Sequence, residues 1–123
     1  MKNVYKGPES ALRLYEAVVA GNPHAERKGA TMPYTSRNGH MFSFLDAGGT
    51  MALALPADRQ AEFIDRYDSH QVEQHGRLMR DFVAVPARLL KHTGELQEWF
   101  DTSYEWTGTR KPKPTSSPAK KVS

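Results

Sequence analysis

The dipeptide Asn38-Gly39 is the strongest local constraint on this chain. Both residues tolerate positive φ, which the tightest two-residue hairpin demands at both central positions. Strand-like runs flank it, Thr31–Ser36 before and His40–Asp46 after. An antiparallel hairpin is therefore expected, and with it an antiparallel sheet. In the second run Met41, Ser43 and Leu45 alternate with Phe42, Phe44 and Asp46. Both faces are fairly apolar, which places this strand inside the sheet with one face partly covered. Asp46-Ala47-Gly48-Gly49 signals a second turn, and Thr50–Leu55 a third strand. Met51, Leu53 and Leu55 fall on one side of it and the small Ala52 and Ala54 on the other. The small side is expected to let a helix approach the sheet closely.

Elsewhere the apolar period is helical. Pro8 and Glu9 suit a helix start, through a preset φ and a favourable charge at the positive end of the dipole. Leu12, Tyr15, Val18 and Val19 then form an apolar stripe over residues 8–20. Gly21-Asn22-Pro23 ends this helix, with Gly21 or Asn22 expected in a left-handed cap. Residues 24–30 read as loop or a short edge strand. Pro56-Ala57-Asp58 opens a helix over 57–67, with Phe63, Ile64 and Tyr67 inward. Residues 68–77 read as a polar loop. Leu78–Val85 is a fourth strand, ended by Pro86. Residues 87–107 read as helix in one or two pieces, with Gly94 as the break. This order predicts an α+β domain over residues 1–109: a single antiparallel sheet packed by helices on one face.

Charge separates that domain from the end of the chain. The 123 residues carry 17 Lys and Arg against 14 Asp and Glu, a formal net charge of +3. Residues 110–123 hold Arg110, Lys111, Lys113, Lys120 and Lys121 and no acid. The remaining 12 basic groups face 14 acidic ones, so residues 1–109 are slightly acidic. With Pro112, Pro114 and Pro118, the segment 110–123 reads as a disordered basic tail. Its expected roles are to solubilise the domain or to make a weak, sequence-blind contact with phosphates, a candidate nucleic-acid contact. No run approaches the length of a membrane span, and the first residues have no signal-like apolar stretch. A cytoplasmic protein without membrane contact is expected.

Catalytic signatures are sparse. The absence of cysteine excludes disulfides, thiolate nucleophiles and Cys-based zinc sites. His70 and His75 are five apart, flanking Glu73, and match no metal-binding spacing. No metal or cofactor is expected. Pro33 to His40 is dense in hydroxyls, and Tyr34, Ser36, Arg37 and His40 are candidate ligand-binding residues. A Ser–His pair needs an orienting acid and an oxyanion hole, and neither has a sequence signature here. No catalytic residue is assigned. Asp81 interrupts a basic strip of Arg77, Arg80, Arg88 and Lys91, and no base-stacking aromatics accompany it. Leu96, Phe100 and Tyr104 keep the four-residue spacing of a buried helix face. Trp99 and Trp106 occupy another sector and are candidate contacts for self-association or a protein partner.

Five segments carry a family resemblance: Pro33 to Ser43, Met51-Ala-Leu-Ala-Leu-Pro56, Val83-Ala-Val-Pro86, Ser103-Tyr104-Glu105-Trp106 and Lys111-Pro-Lys-Pro-Thr115. Together they resemble a small bacterial group similar to the N-terminal domain of TfoX/Sxy competence regulators, and more loosely YjbR-like proteins. The resemblance implies a secretion-chaperone-like α+β fold and a regulatory association with competence or nucleic acid. It brings no catalytic motif. The expected function is a non-enzymatic interaction or regulatory module. A weak nucleic-acid binder acting through the tail is the alternative, as is a small-molecule or enzymatic site at the Tyr34–His40 hairpin.

Overall fold

The computed structural model describes residues 5–74 and 76–112. The expected tail residues Lys113, Lys120 and Lys121, and His75, lie outside them. In chain order the elements are α1 (Glu9–Ala20), β1 (Tyr34–Arg37), β2 (His40–Leu45), β3 (Met51–Ala54), α2 (Ala57–Tyr67), β4 (Gln71–Gln74), β5 (Arg77–Val85), α3 (Ala87–Leu90) and α4 (Thr93–Thr109). Pro8, Pro56 and Pro86 stand in extended conformation immediately before α1, α2 and α3. The hairpin between β1 and β2 turns on Asn38 and Gly39, at φ 57° and 79°, as their chemistry requires.

The strands form one antiparallel sheet in the order β1-β2-β3-β5-β4. Residues paired across antiparallel strands share a face, so the register assigns the two faces. Ser43, Leu45, Met51, Leu53, Val83 and Val85 lie on one face. Tyr15 of α1 bonds Ser43 there, which makes this the helix-covered face. The other face carries Phe44, Ala52, Ala54, Phe82 and Ala84. The alanines were expected to admit a helix, but the helices pack on the opposite side. The larger Met51, Leu53 and Val83 side chains bury more apolar area against α1 and α4 than alanines would.

The β1–β2 pairing slips by one residue: Thr35 opposes Ser43, whereas Ser36 opposes Met41. Phe42 is the extra residue of this bulge. It is fully buried and meets Phe100 and Tyr104 of α4, at ring-centroid distances of 5.3 and 5.9 Å. A bulge re-aims a side chain in this way while raising the local twist. A second aromatic group, Phe63, Tyr67 and Trp99, joins α2 to α4. Asn22 after α1 donates to Asp101 of α4 at 3.0 Å.

Three local expectations differ. Gly21 ends α1 in right-handed conformation (φ −71°) instead of the left-handed cap. The helical break after Pro86 falls at Lys91-His92, and Gly94 sits in the first turn of α4. The polar stretch read as a loop contains β4. β4 is held to β5 by backbone pairing and by side-chain amides, which no hydrophobic period reveals. Between Gln71 and Val72 the β4–β5 register jumps, from Val83 to Met79 on β5. The Arg80 carbonyl lies within this jump, and the Gln60 and Gln71 amides donate to it at 3.0 and 2.8 Å. Gln60 is accordingly buried, while Ile64 on the same helix is half-buried against the core. No helix among the described residues is long and apolar enough to cross a membrane.

Candidate functional site

The Tyr34–His40 hairpin uses its polar atoms on the chain itself. Arg37 donates to the Tyr104 carbonyl at 2.9 Å, and its guanidinium lies 4.0 Å from the Tyr104 ring centroid. Asn38 donates to the Gly108 carbonyl at 3.2 Å, and His40 Nε2 pairs with the Lys111 carbonyl at 2.8 Å. Gly108 is among the last four carbonyls of α4, which lack intrahelical partners, and the helix dipole favours a cation such as Arg37 at this end. The hairpin tip therefore clamps the end of α4. Ser36 takes a bond from Lys28 at 3.1 Å, and Tyr34 exchanges backbone bonds with Lys28. The four candidate ligand residues are together in space, in a structural setting.

Gly108 is part of this clamp. A Cβ there would overlap the Arg37 guanidinium. Gly108→Ala is thus expected to displace Arg37 and lower stability by about 1–2 kcal/mol. In an Arg37→Ala background the same change is expected to raise stability by about 0.5 kcal/mol, through helix propensity alone. Urea unfolding of the four proteins checks the sign change. The same sign in both backgrounds would remove the clamp.

The tryptophan pair divides. Trp99 is 8% exposed, and its indole N–H donates to the Tyr67 hydroxyl at 3.0 Å, so it has little surface to offer a partner. Tyr67 in turn donates to Glu95. Burial, then the Glu95 carboxylate, push the Tyr67 phenol above its usual range. Trp106 is half-buried beside an open depression lined by Asp101, Thr102, Glu105 and Thr109. Arg110 stacks over the Trp106 ring at 4.8 Å and pairs with Asp81 at 3.5 Å. Arg110 is therefore engaged with the folded body, and Asp81 is its partner on β5.

A partly enclosed recess lies on the helix-free face. Phe44, Ala52 and Ala84 line it from β2, β3 and β5, Asp46 and Thr50 from the β2–β3 turn, and His70, Val72 and Glu73 from β4 and the residue before it. β4 stands three strand positions from β2, roughly 14 Å on a flat sheet. Its side chains reach the same recess as Phe44, so the β4–β5 hairpin leans back across this face. The cleft has a volume of about 230 Å³. A second depression shares Thr50, His70 and Ala84 and extends the channel past Asp68 and Ser69 to Pro86.

The lining fixes what the channel can accept. Its floor is apolar and shallow-sided where the alanines stand. Its carboxylates are Asp46, Asp68 and Glu73, and among the described residues neither Lys nor Arg lines it. One Asp46 oxygen accepts the backbone N–H groups of Gly48 and Thr50, both at 2.9 Å, which holds the turn. His70 Nδ1 pairs with the Gln71 carbonyl at 2.9 Å. The volume falls below the roughly 300–1,000 Å³ of small-molecule sites and suits a side chain or an extended strand of peptide. Among the described residues, no group of three or more His, Asp or Glu is placed to hold a metal ion.

Sequence reasoning missed this channel. Its residues come from three separated segments, and two of them look like ordinary turn and loop residues. The one available signal was Ala52 and Ala54 alternating with large apolar residues, which marks a sheet face left shallow. Compared with protein-family models, with curated proteins and with solved structures, the chain gives no match.

Proposed function

We propose that this protein is a non-enzymatic interaction module of the cytoplasm, which receives an extended cationic segment of polypeptide in the acidic channel on its helix-free sheet face. The observation that carries this reading is the channel itself: an alanine floor, a wall formed by the leaning β4–β5 hairpin, and three carboxylates beside His70, with neither Lys nor Arg among the described residues that line it. An acidic rim draws a cationic segment by charge, and the apolar area between the carboxylates adds contact. Engagement of Arg37 and His40 by carbonyls of the chain supports binding elsewhere than at the hairpin tip. The regulatory role implied by the TfoX/Sxy-like resemblance fits within this reading, as capture of a partner segment without chemistry.

The test uses the full chain carrying Lys113→Gln, Lys120→Gln and Lys121→Gln, so that its own tail does not compete. Titration with a synthetic (Lys-Pro)4 peptide is followed by backbone amide signals. Shifts are expected at Phe44, Ala52, Val72, Glu73 and Ala84, with affinity falling at least tenfold between 50 and 500 mM salt, because exposed charges are screened. Glu73→Gln is expected to weaken binding severalfold. Shifts centred on Tyr34–His40 or on Trp106, or none at all, would overturn the reading.

A further inference from the structure

We infer that the occupant of the channel is this chain's own C-terminal segment, residues 113–123, folded back over the same molecule. The inference rests on the reading of the channel as a cation-receiving surface, and it adds the partner. Charge complementarity is the first argument. The far end of the segment brings Lys120 and Lys121, with no acid in the segment, and the channel brings Asp46, Asp68 and Glu73, with neither Lys nor Arg among the described residues that line it. Twelve of the 17 basic groups lie in residues 1–109 among 14 acids, so the excess of positive charge lies at one end of the chain.

Geometry is the second argument. The Lys111 carbonyl is held by His40 at the start of β2, and Asp46 lies just past the other end of that strand. Six strand residues span about 20 Å. The nine residues from Lys111 to Lys120 span about 28 Å in an extended proline-rich conformation. The remaining length of about 8 Å, with the lysine side chains, is what the segment has for passing from the α4 side of the sheet to the opposite face, where the carboxylates lie. Arg110, fixed on Trp106 and Asp81, sets the starting point.

The tether is the third argument. Tethering supplies an effective concentration in the millimolar range, so weak contacts suffice within one molecule where a separate peptide would bind poorly. The same tether makes the segment a competitor for any external cationic partner.

Zero-length carbodiimide coupling tests this on the full chain at low salt, with mixed ¹⁴N- and ¹⁵N-labelled protein read by mass spectrometry. The expected product joins Lys120 or Lys121 to Glu73, Asp68 or Asp46 within a single chain. Its yield is expected to fall at least fivefold in 500 mM salt and in the Asp68→Asn/Glu73→Gln double variant. Coupling only between differently labelled chains would assign the channel to a second copy and overturn the inference. Coupling to Asp101 or Glu105 on α4, or none, would overturn it equally. If the (Lys-Pro)4 peptide still shifts the channel signals in those cases, only the occupant is wrong. If the peptide fails as well, the channel reading fails with it.

Discussion

Phe42→Ala is expected to remove about 3–5 kcal/mol of stability, the range for truncating a buried phenylalanine. Small domains are stable by roughly 5–15 kcal/mol, so this one change takes a large part of the margin. Phe42 is fully buried at the bulge and makes two of the ring contacts that seat α4 on the sheet. Its loss leaves Phe100 and Tyr104 facing a cavity, and neither can move without dragging the clamp at Arg37. Urea unfolding checks the figure, and the thermal midpoint is expected to fall by at least about 12 °C. A cost below about 1 kcal/mol would mean that the bulge turns Met41 inward to fill the space. The seating of α4 would then not depend on this residue.

The bulge also marks how much of the fold the sequence carries. Asn38-Gly39 announces its hairpin because positive φ at two successive positions restricts the residue types. The alternation of Met51-Ala52-Leu53-Ala54-Leu55 likewise reveals a two-faced strand. What the alternation cannot state is which face the helices choose. That choice depends on the summed area offered by β2, β3 and β5 together, and it goes to the Met51, Leu53, Val83 and Val85 side. β4 escapes notice for a related reason. Only Val72 among its four residues is apolar, and its place is secured by pairing with β5 and by amide bonds to Arg80. The channel inherits both omissions, being made of the face without helices and the strand without a pattern. The hairpin tip shows the opposite case. Its residues were singled out for their chemistry, and that chemistry serves to cap α4.

Ser43→Ala is the second large effect expected, about 2–4 kcal/mol, because it disconnects two other buried hydroxyls. Ser43 Oγ lies 2.7 Å from the Tyr15 hydroxyl and 2.6 Å from Thr35 Oγ1, and all three residues are fully buried. Removing the shared partner leaves each neighbour unsatisfied, at about 1–3 kcal/mol apiece. Tyr15→Phe removes an end of the chain and leaves the Ser43–Thr35 bond, so its cost is expected near 1 kcal/mol. The order of the two variants separates a linked chain from independent contacts. The phenol adds a pH signature. Burial pushes Tyr15 up to about 12, against the opposing pull of its bond to Ser43, of the nearby Thr35 hydroxyl and of the Arg27 charge. The unfolded chain ionises this group near 10 while the folded chain keeps it neutral. Its contribution is thus complete below pH 10 and is lost as pH rises from 10 to about 12, on the order of 3 kcal/mol in all. Tyr5 and Tyr67 are raised too, so the measurement is the difference between wild type and Tyr15→Phe across that window. The wild type is expected to lose stability more steeply. Parallel curves would mean that Tyr15 ionises as readily in the folded protein, and that the hydroxyl chain does not join α1 to the sheet.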